Sequence, residues 1–294
     1  MNRLIRSEIL KIRTTNTWWL LGLGTLVMTA FALLVNCIQA HFLLRPFDEF
    51  VKSTSGGRTP DQIPPGQLAE MKAQWASQHD VVAQAANIFT SGQFFGVLIV
   101  SVLGILLITN EYYHQTATTT FLTTPHRTRV VLAKLVTGVL ASAIFWLFTL
   151  VVNVVVGTIF LKTEGFGSHL GDWEVSRALL LNLAAYAIWA VFGVGFGALI
   201  RSQIGATITA TVLYLIGTTA AQLLFMVVHQ FVIKKDWVLT AQVIVPSIAS
   251  SIMISPTKTF PQSPPQWVGA LVLIGYGAVA GIIGTLILRK RDVS

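Results

Sequence analysis

Six long apolar segments constrain this chain more than any other feature of its sequence. They lie near residues 18–44, 88–110, 130–161, 178–200, 204–232 and 266–288. Each is long enough to cross the roughly 30 Å hydrocarbon core of a membrane, which takes about 20 helical residues. Because an α-helix satisfies its own backbone hydrogen bonds in lipid, we expect an all-α integral membrane protein with six transmembrane helices. We expect them to form a single domain over residues 1–294.

Composition supports this fold class. Charged residues make up 11% of the chain and hydrophobic residues 53%, whereas soluble domains carry about 25% charged residues. Cys37 is the single cysteine, so the chain has no intrachain disulfide and offers no cysteine cluster for a metal. An ordinary soluble globular protein is therefore excluded.

A seventh apolar segment, residues 237–257, has no charge but is interrupted by Pro246 and Pro256. It also carries a serine cluster, Ser247, Ser250, Ser251 and Ser255. Irregular backbone is tolerated at membrane depth only where protein or water satisfies it. We therefore predict a re-entrant or interfacial helix pair before the last span.

The net charge of +8 is explained by topology. With six spans both termini share one side, where eleven Lys and Arg residues face three carboxylates, while the other side has nine bases and nine acids. Because basic loops stay in the cytoplasm, we predict a multi-pass protein of the cytoplasmic membrane with both termini cytoplasmic. The longest outer loop is then 45–87, and the basic charge requires no nucleic-acid partner.

The amino-terminal segment 2–14 has the pattern of an amphipathic interfacial helix. Ile5, Ile9 and Ile12 recur at helical spacing. Most of the basic residues fall on the other side and are candidates for contact with membrane lipids: Arg3, Arg6, Lys11 and Arg13.

Between the second and third spans lies the polar run EYYHQTATTTFLTTPHRTRVVLAK, residues 111–134. Thr124 and Pro125 are typical of a helix N-cap followed by proline at the first helical position. By spacing alone the run fits either a docking element or an ordinary solvated loop.

This run resembles the inner loop of ABC-2 type permeases, the membrane subunits of many bacterial ABC transporters. The matching residues are Glu111, Tyr112, His114, Thr116, Thr118, Thr119, Thr120, Leu122, Thr124, Pro125, Arg127, Arg129, Val130, Ala133 and Lys134. The layout of the whole chain is similar to the family as well. One departure is Gln115, where the family usually has glycine, and the sequence leaves the turn geometry there open.

The resemblance implies an ABC-2 type permease fold in which residues 111–125 form a cytoplasmic coupling loop against a separate ATP-binding subunit. The implied coupling residues are Glu111, Tyr112, His114, Gln115, Thr116, Thr120, Leu122, Pro125 and Arg127, with Glu111 the main candidate for transmission. It also implies two copies of the ATP-binding subunit, which would hold ATP and Mg²⁺, and a second permease subunit, identical or paralogous. The cargo of such an exporter would be hydrophobic or amphipathic, such as a drug, lipid or antimicrobial peptide.

The chain itself carries no phosphate-loop motif, so it is expected not to be an enzyme, with ATP hydrolysis in the partner. Polar residues within the spans are candidates for lining a pathway: Asn36, Gln93, Asn153, Asn182 and Gln222. Hydrogen bonding between helices is the competing interpretation for each of them. The alternative function is a membrane scaffold, sensor or immunity component that transports nothing.

Overall fold

The structure is a computed structural model that describes residues 2–116, 127–200, 202–260 and 262–290. Within these ranges the chain is all-helical and forms no strand. The α-helices are α1 (Asn2–Thr14), α2 (Thr17–Leu43), α3 (Phe47–Thr54), α4 (Pro65–Gln78), α5 (Val81–Phe89), α6 (Gln93–Tyr113), α7 (Arg127–Thr163), α8 (Trp173–Leu199), α9 (Gln203–Val227), α10 (Trp237–Thr240), α11 (Pro246–Ile254) and α12 (Gln266–Lys290). Short 3-10 helices occur at Pro60–Gln62 and Ala241–Ile244, and α9 continues into a π-helix at Val228–Val232.

Six described helical segments are long and apolar enough to cross a membrane. They are Thr17–Leu43, Pro65–Tyr113, Thr128–Thr163, Trp173–Leu199, Gln203–Val232 and Gln266–Ile287. The predicted all-helical architecture with six spans is thus confirmed.

The second of these segments is broken where the sequence indicated one continuous span. Helix α5 ends at Phe89 and α6 begins at Gln93, with Gly92 between them in the left-handed conformation at φ 78°. The polar turn formed by Thr90 and Ser91 is buried. A second break lies at Val245, where Trp237–Ile244 and Pro246–Ile254 are bent by 100°.

The bent pair before the last span is too short to cross a membrane as two separate helices. Helix α11 has 9 residues, which gives a length of about 14 Å at 1.5 Å per residue. The residues predicted to form a re-entrant or interfacial pair are thus two short helical pieces. Their depth in the membrane stays a prediction.

Helix α8 is the centre of the bundle, between α6 and α12. A Cβ atom added at Gly193 would lie 2.0 Å from the carbonyl oxygen of Ser101 on α6. On the other side, a Cβ at Gly195 would lie 2.2 Å from the carbonyl oxygen of Ala280 on α12. The three helices therefore touch backbone to backbone, as small residues permit in membrane bundles.

Candidate functional site

Helix α1 packs against α7 next to the end of α6, and its contact face is partly charged. Ile5 and Ile12 are half-buried on this face, and Glu8 lies between them at 5% exposure. Ile9 is exposed instead of sharing the packed face. The bundle thus receives a carboxylate where amphipathicity alone indicated an apolar stripe.

Two lysines and two glutamates from three helices meet beneath α1; we call Glu8, Lys11, Glu111 and Lys134 the charge cluster. The Lys134 ammonium lies 2.8 Å from Glu8 Oε2 and 3.0 Å from Glu111 Oε1. The Lys11 ammonium lies 2.6 Å from Glu8 Oε1 and 2.7 Å from Glu111 Oε1. Each lysine therefore bridges the same two carboxylates, one from α1 and one from α6.

The charge cluster has no net charge, and its buried groups are hydrogen-bonded. Lys134 is 2% exposed, and its three N–H donors have three acceptors, because it also donates to the carbonyl oxygen of Leu107 at 2.8 Å. Glu111 is 6% exposed. Buried ions are tolerated when they are paired and hydrogen-bonded in this way, whereas loss of one partner leaves an uncompensated charge.

Lys11 is the solvent-facing member of the charge cluster. Its side chain is 43% exposed. Partial burial would lower the pKa of Lys11, but hydrogen bonds to Glu111 and Glu8 outweigh burial and hold that pKa above its usual value. The lysine is therefore cationic at neutral pH. Its position differs from that of Arg3, Arg6 and Arg13, which are exposed on the opposite side of α1.

The end of α6 is closed by a Schellman motif. The backbone N–H of Thr116 donates to the carbonyl of Glu111 at 2.9 Å, and that of Gln115 donates to Tyr112 at 3.2 Å. Gln115 adopts φ 55°, the left-handed conformation that glycine adopts most easily. The turn therefore has the geometry a glycine would favour, although the chain carries glutamine there.

The remaining predicted coupling residues differ in burial and position. Tyr112 is half-buried against the apolar cluster that includes Leu107 and Val131, whereas His114 and Thr116 are exposed. Arg127 is the first residue of α7. Thr120, Leu122 and Pro125 lie outside the described residues.

A cavity of about 310 Å³ adjoins the charge cluster between α1, the start of α2 and the end of α6.

Three of the candidate pathway residues hold the break between α5 and α6. The Asn153 amide donates to the carbonyls of Phe89 and Ser91 at 3.2 and 2.9 Å, and the Asn36 amide donates to the Ser91 hydroxyl at 2.8 Å. Gln93 donates to the Ser250 hydroxyl at 2.6 Å. Asn153 thus satisfies two backbone carbonyls at the break, which lipid could not do, while Asn36 and Gln93 bind serine hydroxyls beside it.

The other two pathway candidates lie apart from this break. Asn182 is buried within α8, and Gln222 is exposed on α9. Pathway lining stays a prediction for all five residues.

Sequence reasoning missed Lys134 as a partner of Glu111, and it missed Glu8 as the second carboxylate of the charge cluster. Glu8 and Lys11 stand three residues apart on α1, which indicates a local ion pair. Lys134 is a cation close to the start of an apolar run, and a charge in such a place needs a partner. The pairing itself, across 126 residues, has no signal in one sequence.

No group of three or more His, Cys, Asp or Glu side chains that could hold a metal occurs within the described part of the chain. We call the ion pairs of the charge cluster the joint, because they connect α1 to Glu111 near the end of α6 and to Lys134 near the start of α7.

Comparison with known families gives one match. A family model described as ABC-2 family transporter protein matches residues 4–218. The matched range includes the entire charge cluster and the polar run 111–134. Among curated proteins, none matches the chain.

Proposed function

Because this chain belongs to the ABC-2 family of transporter proteins, we propose that it is the permease subunit of an ATP-driven exporter. The family is a transporter membrane component, and membership implies partnership with an ATP-binding subunit. Two copies of that subunit would bind ATP and Mg²⁺, and a second permease subunit would complete the pathway.

The charge cluster is the observation that carries the proposed coupling role. The segment 111–125 is the proposed docking element for the ATP-binding subunit. It connects α6 to α7, and both helices are fastened to α1 through Glu8 and Lys11. A force on this segment would therefore move the ends of three helices together, rather than bend one loop.

In our proposal Glu111 transmits this force to other residues of the same chain and does not contact the partner subunit. Its carboxylate is buried and bonded to Lys11 and Lys134, so a partner would meet the exposed residues around it, such as His114 and Thr116. The exposed arginines of α1 would contact the partner or anionic lipid headgroups.

The proposed cargo is hydrophobic or amphipathic, such as a drug, lipid or antimicrobial peptide. Support comes from the described spans, where the buried charges are those of the charge cluster and are paired with one another. The other buried polar groups there are amides and hydroxyls, which offer an ionic substrate no counter-charge. The chain is a multi-pass membrane protein. We place it in the cytoplasmic membrane, with both termini cytoplasmic, on the asymmetry of its basic residues.

A mild-detergent pull-down of the tagged chain tests the proposal. We expect an ATP-binding subunit with a phosphate-loop motif at one-to-one stoichiometry, and loss of that subunit when residues 114–116 are replaced by alanine. Replacing three exposed residues of the 45–87 loop, Glu70, Lys72 and Gln74, is the matched control and leaves the complex intact. Recovery of the chain with no ATPase would contradict the permease role and favour a scaffold or sensor.

ATP-driven transport by the reconstituted complex tests the coupling joint. We expect Glu111→Gln to retain assembly and ATP hydrolysis while transport per ATP hydrolysed falls. The physical reason is that the neutral amide of glutamine forms no ion pair with Lys11 or Lys134, so the connection between the three helices is weaker. Wild-type transport by this variant would contradict the coupling role of the charge cluster but would leave the permease proposal standing.

A further inference from the structure

The serine cluster of the bent segment lies where the two helix breaks meet. Helix α11 is buried along most of its length, with Ser250 at 1% exposure and Ser247 at 7%. The Ser250 hydroxyl accepts from Gln93, the first residue of α6 after its break. Helix α11 is thus joined to the first residue of α6 through one serine.

Cavities lie on both sides of this contact. The polar cavity, about 330 Å³, is lined by Asn36, Thr90, Ser91, Gln93, Ser251 and Ser255 among others. The aromatic cavity, about 190 Å³, is lined by Trp189, Phe192, Phe196, Tyr214, Thr218 and Ser247 among others. Serines of α11 therefore face both cavities, and Ser250 lies between them in the helix.

Hydrogen bonds to Ser250 are one link between the linings of the two cavities, and we call Gln93, Ser250 and Trp189 the wall. Gln93 belongs to the polar cavity and donates to the Ser250 hydroxyl at 2.6 Å. Trp189 belongs to the aromatic cavity and donates to the same hydroxyl at 3.3 Å. One serine oxygen thus accepts both bonds, so its removal leaves both donors without this acceptor.

The linings specify the chemistry of an occupant. None of the described residues that line the two cavities is charged. Amides and hydroxyls both donate and accept hydrogen bonds, whereas an ion placed there would lack a counter-charge. The rings of Trp189, Tyr214 and Phe192, in edge-on contact at 5.1 and 5.4 Å, offer flat apolar surfaces to another ring.

We propose that the two cavities form one binding site for a neutral aromatic amphiphile. Its ring occupies the aromatic cavity, its uncharged hydrogen-bonding part occupies the polar cavity, and the wall of Gln93, Ser250 and Trp189 opens between them. As a site on a transport pathway it rests on the proposed exporter function, and it narrows the cargo to uncharged molecules. As a binding site it rests on the cavities alone.

Cysteine labelling tests the site directly. Cys37 is the single cysteine, so a Cys37→Ser background carries Ser247→Cys for the aromatic cavity or Ser251→Cys for the polar cavity. The probes are N-phenylmaleimide, which is neutral and aromatic, and N-(4-carboxyphenyl)maleimide, which adds only a carboxylate. Leu223→Cys, on the exposed face of α9, measures how far each reagent reacts merely by entering detergent or lipid.

We expect both cavity cysteines to react with the neutral reagent at least about tenfold faster than the α9 cysteine. We expect the carboxylate to slow them by about tenfold more than it slows the α9 cysteine, because burial of an unpaired charge is costly. Reaction at the α9 rate would mean that the cavities are closed to such molecules. Equal rates for the two reagents would mean a water-filled space without selectivity. Either result overturns the proposal.

The wall is tested in the same background. Ser250→Ala removes the shared acceptor and should speed the labelling of Ser247→Cys about fivefold, the equivalent of one net hydrogen bond. Ser142→Ala is the matched control, because this buried serine lines neither cavity and its hydroxyl donates to the Val139 carbonyl within α7, so the rate should stay unchanged. An unchanged rate in Ser250→Ala contradicts the wall. These measurements use the isolated chain, so their failure leaves the permease proposal standing, and a failed pull-down leaves them valid.

Discussion

Replacement of Lys134 by methionine isolates the energetic contribution of the charge cluster. Methionine keeps an unbranched side chain that can follow the course of the lysine stem, but it removes the cation that lies within 3.0 Å of Glu111 and 2.8 Å of Glu8. Lys11 alone then faces two buried carboxylates, and the Leu107 carbonyl loses its donor. Loss of one partner of a buried ion pair costs about 3–5 kcal/mol.

Thermal unfolding of the purified chain in detergent measures this cost. At about 2–4 °C per kcal/mol for a chain of this size class, Tm should fall by roughly 6–20 °C. Lys162→Met is the matched control, because Lys162 is an exposed lysine at the other end of α7. Its effect should stay within about 0.5 kcal/mol.

A second substitution separates pairing from packing. Glu8→Gln added to Lys134→Met restores one cation facing one carboxylate, so the double variant should be more stable than the sum of the two single effects by at least about 1 kcal/mol. A Tm for Lys134→Met within 2 °C of the parent, or strictly additive effects in the cycle, would refute the buried ion pairing.

Three further substitutions test the packing and backbone with the same unfolding assay. Gly193→Ala should cost about 1–3 kcal/mol because its Cβ would lie 2.0 Å from a carbonyl oxygen of α6, whereas Gly217→Ala, with nothing within 4 Å, should be neutral or stabilising. Gln115→Gly should stabilise by about 0.5–1 kcal/mol by relieving a left-handed residue at φ 55°, and a loss of stability would show that the glutamine side chain matters more. Asn153→Leu should cost about 1–3 kcal/mol by leaving two carbonyls of the α5–α6 break without this donor, and a neutral effect would contradict that capping role.

Sequence predicts the spans of this protein because length and apolarity are local properties. Pro246 similarly marks the start of α11 after the bend. The break at Gly92 was missed because the short polar stretch 90–93 stands between apolar residues such as Ile88 and Phe94, so the whole segment is apolar enough for one span. A single glycine is also common in membrane helices.

The candidate site shows the same division between local and distant information. The resemblance of the run 111–134 identified Glu111 as the residue at the corner, and Lys11 was visible on the amphipathic helix. That these two meet Lys134 depends on where α1 lies across α6 and α7. A tertiary contact of this kind leaves no periodic pattern in one chain, whereas a cation near the start of an apolar span indicates only that some partner exists.

The backbone contacts of α8 determine how stiff the bundle is. Side chains between two helices can change rotamer and so accommodate a shift of one helix. A glycine in contact with a carbonyl has no side chain that could do so. Such contacts join α6 to α8 and α8 to α12, and Gly269 extends the series, since a Cβ there would lie 2.5 Å from the carbonyl of Ala249 on α11. In the proposed coupling role of Glu111, these contacts would carry a displacement of α6 through α8 and α12 to α11, and so to Ser250, with little loss of amplitude.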